Sequence, residues 1–129
     1  MSTQTADTFI EALHALEDGK DAEPLAALYA AGSTIGNVHV PDGFHGPDGA
    51  RQFWTEYRGT FQRLHSEFRN VIATDTRAAL EWTTTGEAFD GKPFQYSGVT
   101  VLETAGEQVT RSCAYFDPAA LGRQIEPSA

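Results

Sequence analysis

Residues 78–103, AALEWTTTGEAFDGKPFQYSGVTVLE, are the stretch that decides the fold. The segment holds two runs, 78–89 and 93–103, in which apolar or aromatic side chains alternate with polar ones, as in strands that bury one face. The letters DGK stand between the runs, and Asp-Gly at 90–91 is a strong sequence signal for a tight antiparallel turn. We therefore predict that this segment forms a β-hairpin.

Two further strands are predicted, one on each side of the hairpin in sequence. Residues 67–75 and 108–116 contain β-branched and aromatic residues in strand-like runs, and the links TR and TAGE that join them to the hairpin are short. Short links favour antiparallel neighbours. Gly86 and Gly98 fall inside strand patterns and are predicted bend or bulge points.

The first half of the chain is predicted to be mainly helical. Apolar residues at spacings of three and four indicate three helices, over 7–18, 22–31 and 48–65. The remaining pieces are a strand, TIGNVHV, before a turn-rich loop at 41–49, and a closing helical turn at 117–125. Helices followed by strands give the α+β class, with three helices on one face of a long, strongly bent antiparallel sheet.

Length and charge exclude several classes of protein. With 129 residues, the chain is expected to form a single domain over 1–129. Acidic residues number 18 against 9 basic ones, which are scattered, so a nucleic-acid partner is not predicted. No apolar run of ~18 residues and no signal-peptide pattern is present, so no membrane association is expected. Cys113 is the only cysteine, which fits a cytoplasmic location.

The order of these segments resembles a known superfamily. FIEALHALEDGKDAEPLAALYA, HGPDGARQFWTEYRGTF, the hairpin segment and RSCAYFDPAAL together resemble the nuclear transport factor 2-like superfamily, in its SnoaL-like, polyketide cyclase and ketosteroid isomerase-like branch. The resemblance covers about residues 7–125. It implies a cone-shaped domain in which the curved sheet and the helices enclose an apolar pocket, and a homodimer formed through the convex face of the sheet. Many members of the superfamily are non-catalytic. No cofactor is predicted, because the sequence has no Gly-rich dinucleotide fingerprint and no phosphate loop.

Asn37 and His39 are the first candidate site residues. They share one face of the predicted strand TIGNVHV, and the resemblance implies that this strand lines the pocket. An amide can orient a carbonyl or a water but cannot act as a general base, whereas an imidazole can take or give a proton near neutral pH. The alternative is that both are pocket-lining residues without a chemical role. His45 stands nearby, but no carboxylate partner is evident, so no metal is predicted.

Asp117 is the third candidate catalytic residue, as a base or as a group that orients a histidine. Its alternative role is the N-cap of a helical turn, because Pro follows it directly. The familiar catalytic machinery of two relatives is absent. Asn37 stands where the resemblance places the Asp base of ketosteroid isomerases. Trp82, Thr84 and Ala114 stand at the positions of the Arg and two Asp of the epoxide hydrolases.

The predicted pocket wall is aromatic. Leu80, Trp82 and Thr84 are assigned to the inner face of their strand, which places Glu81 outside. The candidate substrate-binding residues are Trp54, Tyr57, Phe61, Trp82, Thr84 and Tyr115.

These walls would suit a small hydrophobic ligand with a carbonyl group. The predicted function is a cofactor-independent isomerase, cyclase or dehydratase that works by proton transfer. The alternative is a non-catalytic binding or dimerisation domain.

Overall fold

In a computed structural model of the chain, residues 2–125 are described, with side chains described from residue 4 onward. Four helices and six strands follow one another as α1 (Ser2–Gly19), α2 (Glu23–Ala26), β1 (Tyr29–Asn37), β2 (Phe44–His45), α3 (Gly46–Gly59), β3 (Arg63–Ala73), β4 (Arg77–Glu87), β5 (Pro93–Ala105), β6 (Gln108–Phe116) and α4 (Pro118–Ile125). Among these residues, no helix has both the length and the apolar character needed to cross a membrane. The predicted α+β class is confirmed.

The strands form one curved sheet in the order β2-β1-β6-β5-β4-β3. All neighbours are antiparallel except β1 and β6, which are parallel. A parallel pair needs a long crossover, and the segment from β2 to β5, which includes α3, provides it. The prediction of a purely antiparallel sheet was therefore wrong at this one pair.

The hairpin predicted at 78–103 is confirmed as β4 and β5. Gly91 has a φ of +86°, a conformation that glycine adopts without strain, and its N–H donates to the Ala88 carbonyl at 2.9 Å. In the ladder, Trp82 is opposite Gly98 and Thr84 is opposite Tyr96. The inner face holds Trp82 and Thr84, both buried as predicted.

Gly86 and Gly98 do not act as bulges, because the β4–β5 ladder keeps its register through both. They allow close packing instead. A Cβ on Gly98 would lie 2.7 Å from the Trp82 ring, and one on Gly86 would lie 2.8 Å from the Phe94 ring. Large rings therefore pack directly against the backbone, and this brings the sheet surface close to its aromatic layer.

Several predicted boundaries were wrong, among them those of the second helix, the strand TIGNVHV and the long helix. The second helix ends at Ala26 instead of residue 31, and β1 already begins at Tyr29, which pairs with Val109 of β6. The Tyr29 ring is fully buried, and its hydroxyl bonds to Ser112 and to the Trp54 indole, so tertiary contacts override helical spacing here.

The strand predicted over TIGNVHV ends at Asn37, two residues before His39. The long helix ends at Gly59 instead of residue 65, because the Arg58 guanidinium bonds the carbonyl of Phe61 and turns the chain.

One side chain of helix α4 forms hydrogen bonds with the main chain of the sheet. The Gln124 carboxamide accepts the Gln95 N–H and donates to the Gln95 carbonyl, both at 2.8 Å. Gln95 lies on β5 beyond the point where β6 stops pairing with it. The amide of Gln124 therefore occupies the place that a strand backbone would take.

Candidate functional site

The inner face of the sheet and helices α1, α3 and α4 enclose a cavity of about 410 Å³. This volume lies within the range of small-molecule sites. The largest side chains of the wall are aromatic: Phe53, Trp54, Tyr57, Phe61, Trp82, Tyr96 and Phe116.

Successive rings on and after α3 meet edge to face. The Phe53 and Trp54 rings are 5.0 Å apart at 88°, Trp54 and Tyr57 are 5.6 Å apart at 87°, and Tyr57 and Phe61 are 5.7 Å apart at 77°. Each contact is the arrangement that ring quadrupoles favour. The predicted wall residues Trp54, Tyr57, Phe61, Trp82 and Thr84 all line the cavity.

A pair of tyrosine hydroxyls stands in this apolar wall. The Tyr57 and Tyr96 hydroxyl oxygens are 3.0 Å apart, and either one can be the donor. Burial raises the pKa of Tyr96 to about 12 and raises the pKa of Tyr57 well above its usual range. Both groups therefore carry their protons at neutral pH, so they act as hydrogen-bonding groups and not as bases.

A buried carboxyl group lies behind the cavity wall. The Glu17 side chain has no exposed surface, and its two oxygens accept hydrogen bonds from the Ser66 N–H at 3.0 Å and the Ser66 hydroxyl at 2.6 Å. Arg58 does not neutralise this carboxyl, because its Nε bonds to the main-chain carbonyl of Glu17. Burial is the largest influence on the Glu17 pKa and raises it, against the opposing effect of the Ser66 bonds.

The Ser66 hydroxyl also forms a hydrogen bond with a second hydroxyl of the cavity wall, that of Thr84. Its oxygen is 2.7 Å from that of Thr84 on the neighbouring strand. Ser66 and Thr84 both line the cavity. The Ser66 and Thr84 hydroxyls therefore join the Glu17 carboxyl to the cavity wall.

Two histidines lie on the outer side of Glu17. The His14 and His65 rings are stacked, 5.4 Å apart at 16°, and His14 Nε2 is 2.9 Å from the Ser66 carbonyl. Potential ligand atoms of His14, Glu17 and His65 lie within 4.8 Å of one another. However, both Glu17 oxygens accept hydrogen bonds from Ser66, and His14 Nε2 is within hydrogen-bond distance of the Ser66 carbonyl. We therefore assign no metal to this group.

Asn37 and His39 both line the cavity, but they do not share a strand face. The Asn37 Oδ1 accepts the N–H groups of His39 at 2.9 Å and Val40 at 3.2 Å, so it forms a turn at the end of β1. Its NH₂ group is the part that a ligand can use. The exposed His39 ring lies at the cavity rim, 6.1 Å from the Phe116 ring in an edge contact.

Asp117 and Tyr115 lie away from the cavity. The exposed Asp117 carboxylate accepts the Ala119 N–H at 3.0 Å, which is the N-cap arrangement for α4. Tyr115 is 46% exposed, because its neighbours Ala114 and Phe116 take the inner positions on β6. His45 is also exposed, at the start of α3.

Sequence reasoning missed Glu17, Ser66 and Tyr96. The signal for Glu17 was its position four residues after Leu13, on the buried face of α1. Tyr96 could have been found by alternation with Phe94 on β5, since both point inward. Helical spacing and strand alternation cannot reveal that the Glu17 carboxyl group on the buried face of α1 contacts Ser66 of β3.

Comparisons with known proteins agree with this architecture. The family model for the SnoaL-like domain matches residues 8–112. The search of curated proteins gives no match.

Three solved structures have closely similar backbones. A hypothetical protein from Catenulispora acidiphila with a ketosteroid isomerase-like fold, in complex with trimethylamine, has a TM-score of 0.79 at 19% identity, covering 96% of this chain and 93% of that one. TerC co-crystallized with polyporic acid has a TM-score of 0.79 at 16% identity, covering 95% of this chain and 98% of that one. An LEH-like epoxide hydrolase from M. tuberculosis has a TM-score of 0.70 at 18% identity, covering 95% of this chain and 86% of that one. Identities this low establish a shared fold and nothing further.

Proposed function

The chain belongs to the SnoaL-like domain family, and from this premise we propose that it binds a small, flat, apolar molecule with a carbonyl oxygen and transfers a proton on it. The reaction would be a cofactor-independent isomerisation, cyclisation or dehydration. The observation that carries the proposal is the Tyr57–Tyr96 hydroxyl pair, set among large aromatic side chains in a cavity of about 410 Å³.

The Tyr57–Tyr96 hydroxyl pair can form hydrogen bonds with an oxygen atom of the ligand. Two protonated hydroxyls in apolar surroundings bind a polar atom more strongly than they would in water, because they exchange no hydrogen bond with bulk solvent. The rings of Trp54 and Trp82 would cover the apolar body of the ligand. TerC, which shares the fold, was crystallised with polyporic acid, and this supports a small-molecule role for the cavity.

We assign the proton transfer to His39 at the cavity rim, with Asn37 as the residue that orients the substrate. An imidazole at the rim can exchange protons with solvent between turnovers. The Asn37 NH₂ can donate to a substrate oxygen while its Oδ1 keeps the turn. Asp117 and Tyr115 have no place in this proposal, because their side chains do not line the cavity.

The second candidate function is binding without chemistry. It is favoured by the exposure of His39 and by the absence of a carboxylate partner for its ring among the contacts of the described residues. The two candidates share the cavity and differ only in the role of His39.

Thermal-shift measurements followed by turnover assays distinguish the two candidate functions. We would screen aromatic and polycyclic ketones, because a ligand of the folded state raises the Tm by mass action. His39→Ala is compared with His45→Ala, an exposed histidine outside the cavity. The enzyme proposal requires turnover of a bound ketone that His39→Ala loses and His45→Ala retains. Binding with no turnover supports the second candidate, and no binding by any ketone contradicts both.

We also propose a homodimer formed through the outer face of the sheet, within the cytoplasm. The outer positions include Tyr115 and Ile72, which is 66% exposed. Exposed apolar groups on a sheet face suit a protein interface. Light scattering with size-exclusion chromatography at two concentrations tests the oligomeric state.

A further inference from the structure

The Thr100 hydroxyl on β5 is a hydrogen-bond donor of the cavity wall that the proposed function does not use. The residue is 5% exposed and lines the cavity. Its oxygen accepts the Trp82 indole N–H at 2.9 Å. Because an indole N–H can only donate, Thr100 keeps its own hydroxyl proton. No group accepts that proton among the hydrogen bonds of the described residues, so it is available to an oxygen atom in the cavity.

Asn37 presents a second donor in the same row across the sheet. Ala114 of β6 is the ladder partner of both Asn37 and Thr100, and all three residues line the cavity. Neighbouring strands are about 4.8 Å apart, so the main chains of Asn37 and Thr100 are roughly 10 Å apart. The methyl group of Ala114 leaves room between the two side chains for a ligand oxygen.

The threonine–asparagine site, which we define as Thr100 and Asn37, offers donors only. The Asn37 Oδ1 already accepts two main-chain N–H groups, so its NH₂ is the part that faces a ligand. The Thr100 oxygen already accepts the Trp82 N–H. The site therefore suits an oxygen that accepts hydrogen bonds, such as that of a carbonyl group.

The tyrosine pair, Tyr57 and Tyr96, suits a wider range of oxygen atoms. One hydroxyl proton lies between the two oxygens, which are 3.0 Å apart, and the second proton and the remaining lone pairs are left for a ligand. The pair can therefore bind a hydroxyl group as well as a carbonyl oxygen.

The Trp82 indole lies between the two sites. Its ladder partner Gly98 is midway between Tyr96 and Thr100 on β5. The Tyr96 and Trp82 rings are 5.1 Å apart at 78°, and the Trp82 N–H bonds to Thr100. Four residues of a strand span roughly 13 Å, which matches a two-ring aromatic molecule with an oxygen at each end and a hydrogen bond to each oxygen.

We propose that the cavity selects flat aromatic molecules that carry an oxygen atom at each end. The tyrosine pair binds one oxygen, and the threonine–asparagine site binds the other, a carbonyl. Thr100 is thus a residue that determines specificity. This inference rests on the proposed binding of an oxygen-bearing molecule at the tyrosine pair, and it adds the position of a second oxygen.

Three naphthalene probes test the need for two oxygens. 2-Acetylnaphthalene and 2-naphthol carry an oxygen at one end, and 6-acetyl-2-naphthol carries one at each end. We expect 6-acetyl-2-naphthol to bind the wild type about fivefold to tenfold more tightly than the better of the other two, the effect of about one hydrogen bond. A polar group that enters apolar surroundings without a partner lowers affinity instead. Equal or weaker binding of 6-acetyl-2-naphthol by the wild type would overturn the proposal without any variant.

Substitutions of Thr100 assign the second oxygen to its site. Thr100→Val removes the hydroxyl and should reduce the advantage of 6-acetyl-2-naphthol to less than about twofold, whereas Thr100→Ser keeps the hydroxyl and should keep the advantage. Thr83→Val is the control, because the Thr83 hydroxyl bonds to Ser97 at 2.9 Å on the outer face of the sheet. If Thr100 only holds Trp82 in place, Thr100→Val should weaken all three probes alike. That result would overturn the role of Thr100 in specificity.

Tyr96→Phe distinguishes a failure of this inference from a failure of the proposed function. Suppose that the two probes with one oxygen bind, bind more weakly to Tyr96→Phe, and are not exceeded by 6-acetyl-2-naphthol. This result would overturn the two-oxygen inference and leave the proposed binding at the tyrosine pair intact. No binding of any probe to the wild type would contradict the proposed function and this inference together.

Discussion

The Asn37 side-chain oxygen accepts the main-chain N–H of His39 at 2.9 Å, so the two candidate residues are coupled through a turn. The same oxygen accepts the Val40 N–H at 3.2 Å. Asn37 therefore positions His39 whether or not it contacts a ligand.

Substitutions of Asn37 should separate these two roles. Asn37→Ala removes both turn bonds and should lower the free energy of unfolding by about 1–2 kcal/mol. Asn37→Asp keeps the acceptor and should be nearly as stable as the wild type, but it lacks the NH₂ donor and should bind a ketone more weakly. Urea unfolding and ketone titration measure the two effects. Equal stability of Asn37→Ala and the wild type would contradict the turn role.

The buried Glu17 should make stability depend on pH. Its pKa in the folded protein lies above the ordinary 4.5, so the folded protein holds the proton more tightly than the unfolded chain does. The resulting stability is fully present below about pH 4.5 and is lost as the pH rises through the raised pKa. We therefore expect the wild type to lose stability relative to Glu17→Gln as the pH rises through this window.

Urea unfolding at a series of pH values measures this difference. Glu11→Gln, an exposed glutamate on the same helix, is the matched control and should show no comparable trend. A constant difference between the wild type and Glu17→Gln at all pH values would contradict the prediction.

The Tyr29 hydroxyl satisfies two buried groups, the Trp54 indole N–H at 3.1 Å and the Ser112 hydroxyl at 2.8 Å. Tyr29→Phe leaves both without this partner, so we expect it to cost about 1–3 kcal/mol of unfolding free energy. Tyr115→Phe makes the same chemical change at an exposed position and should stay within about 0.5 kcal/mol. Chemical denaturation compares the two variants, and equal costs would refute the assigned role of Tyr29.

Gly98 should not tolerate a side chain. An added Cβ would lie 2.7 Å from the Trp82 ring and would also clash with the Tyr115 carbonyl, so Gly98→Ala should lower the Tm and shift Trp82. Gly32→Ala is the control, because no atom lies within 4 Å of the added Cβ. Tm and tryptophan fluorescence report the change. A Gly98→Ala protein with unchanged Tm and spectrum would show that the ring has room to move.

The sheet could be predicted from local patterns, because alternation and the Asp-Gly turn act over a few residues. The helix ends could not, because distant groups determine them. Arg58 ends α3 through bonds to the Phe61 and Glu17 carbonyls, and the Glu17 carbonyl is 41 residues away in sequence. The parallel pairing of β1 with β6 likewise joins the two halves of the chain.

In the candidate site, too, local patterns predict some residues and miss others. Inward residues such as Trp82 and Thr84 follow from strand periodicity, and the structure places both on the cavity. The assignment of Tyr115 to the wall failed because its inner neighbours Ala114 and Phe116 fix it on the outer face. The link from Glu17 to Ser66 spans 49 residues, and no local pattern contains it.

The attachment of α4 through Gln124 has a consequence for access to the cavity. Leu121 and Ile125 of this helix form part of the cavity wall, yet their segment is joined to β5 by two hydrogen bonds from one side chain. Separating paired strands breaks many bonds at once, whereas a glutamine can leave its partner by rotating about its own side-chain torsions. Opening of the cavity at this end therefore requires one amide to change rotamer and Leu121 and Ile125 to leave their contacts with the aromatic cluster around Phe61 and Phe94.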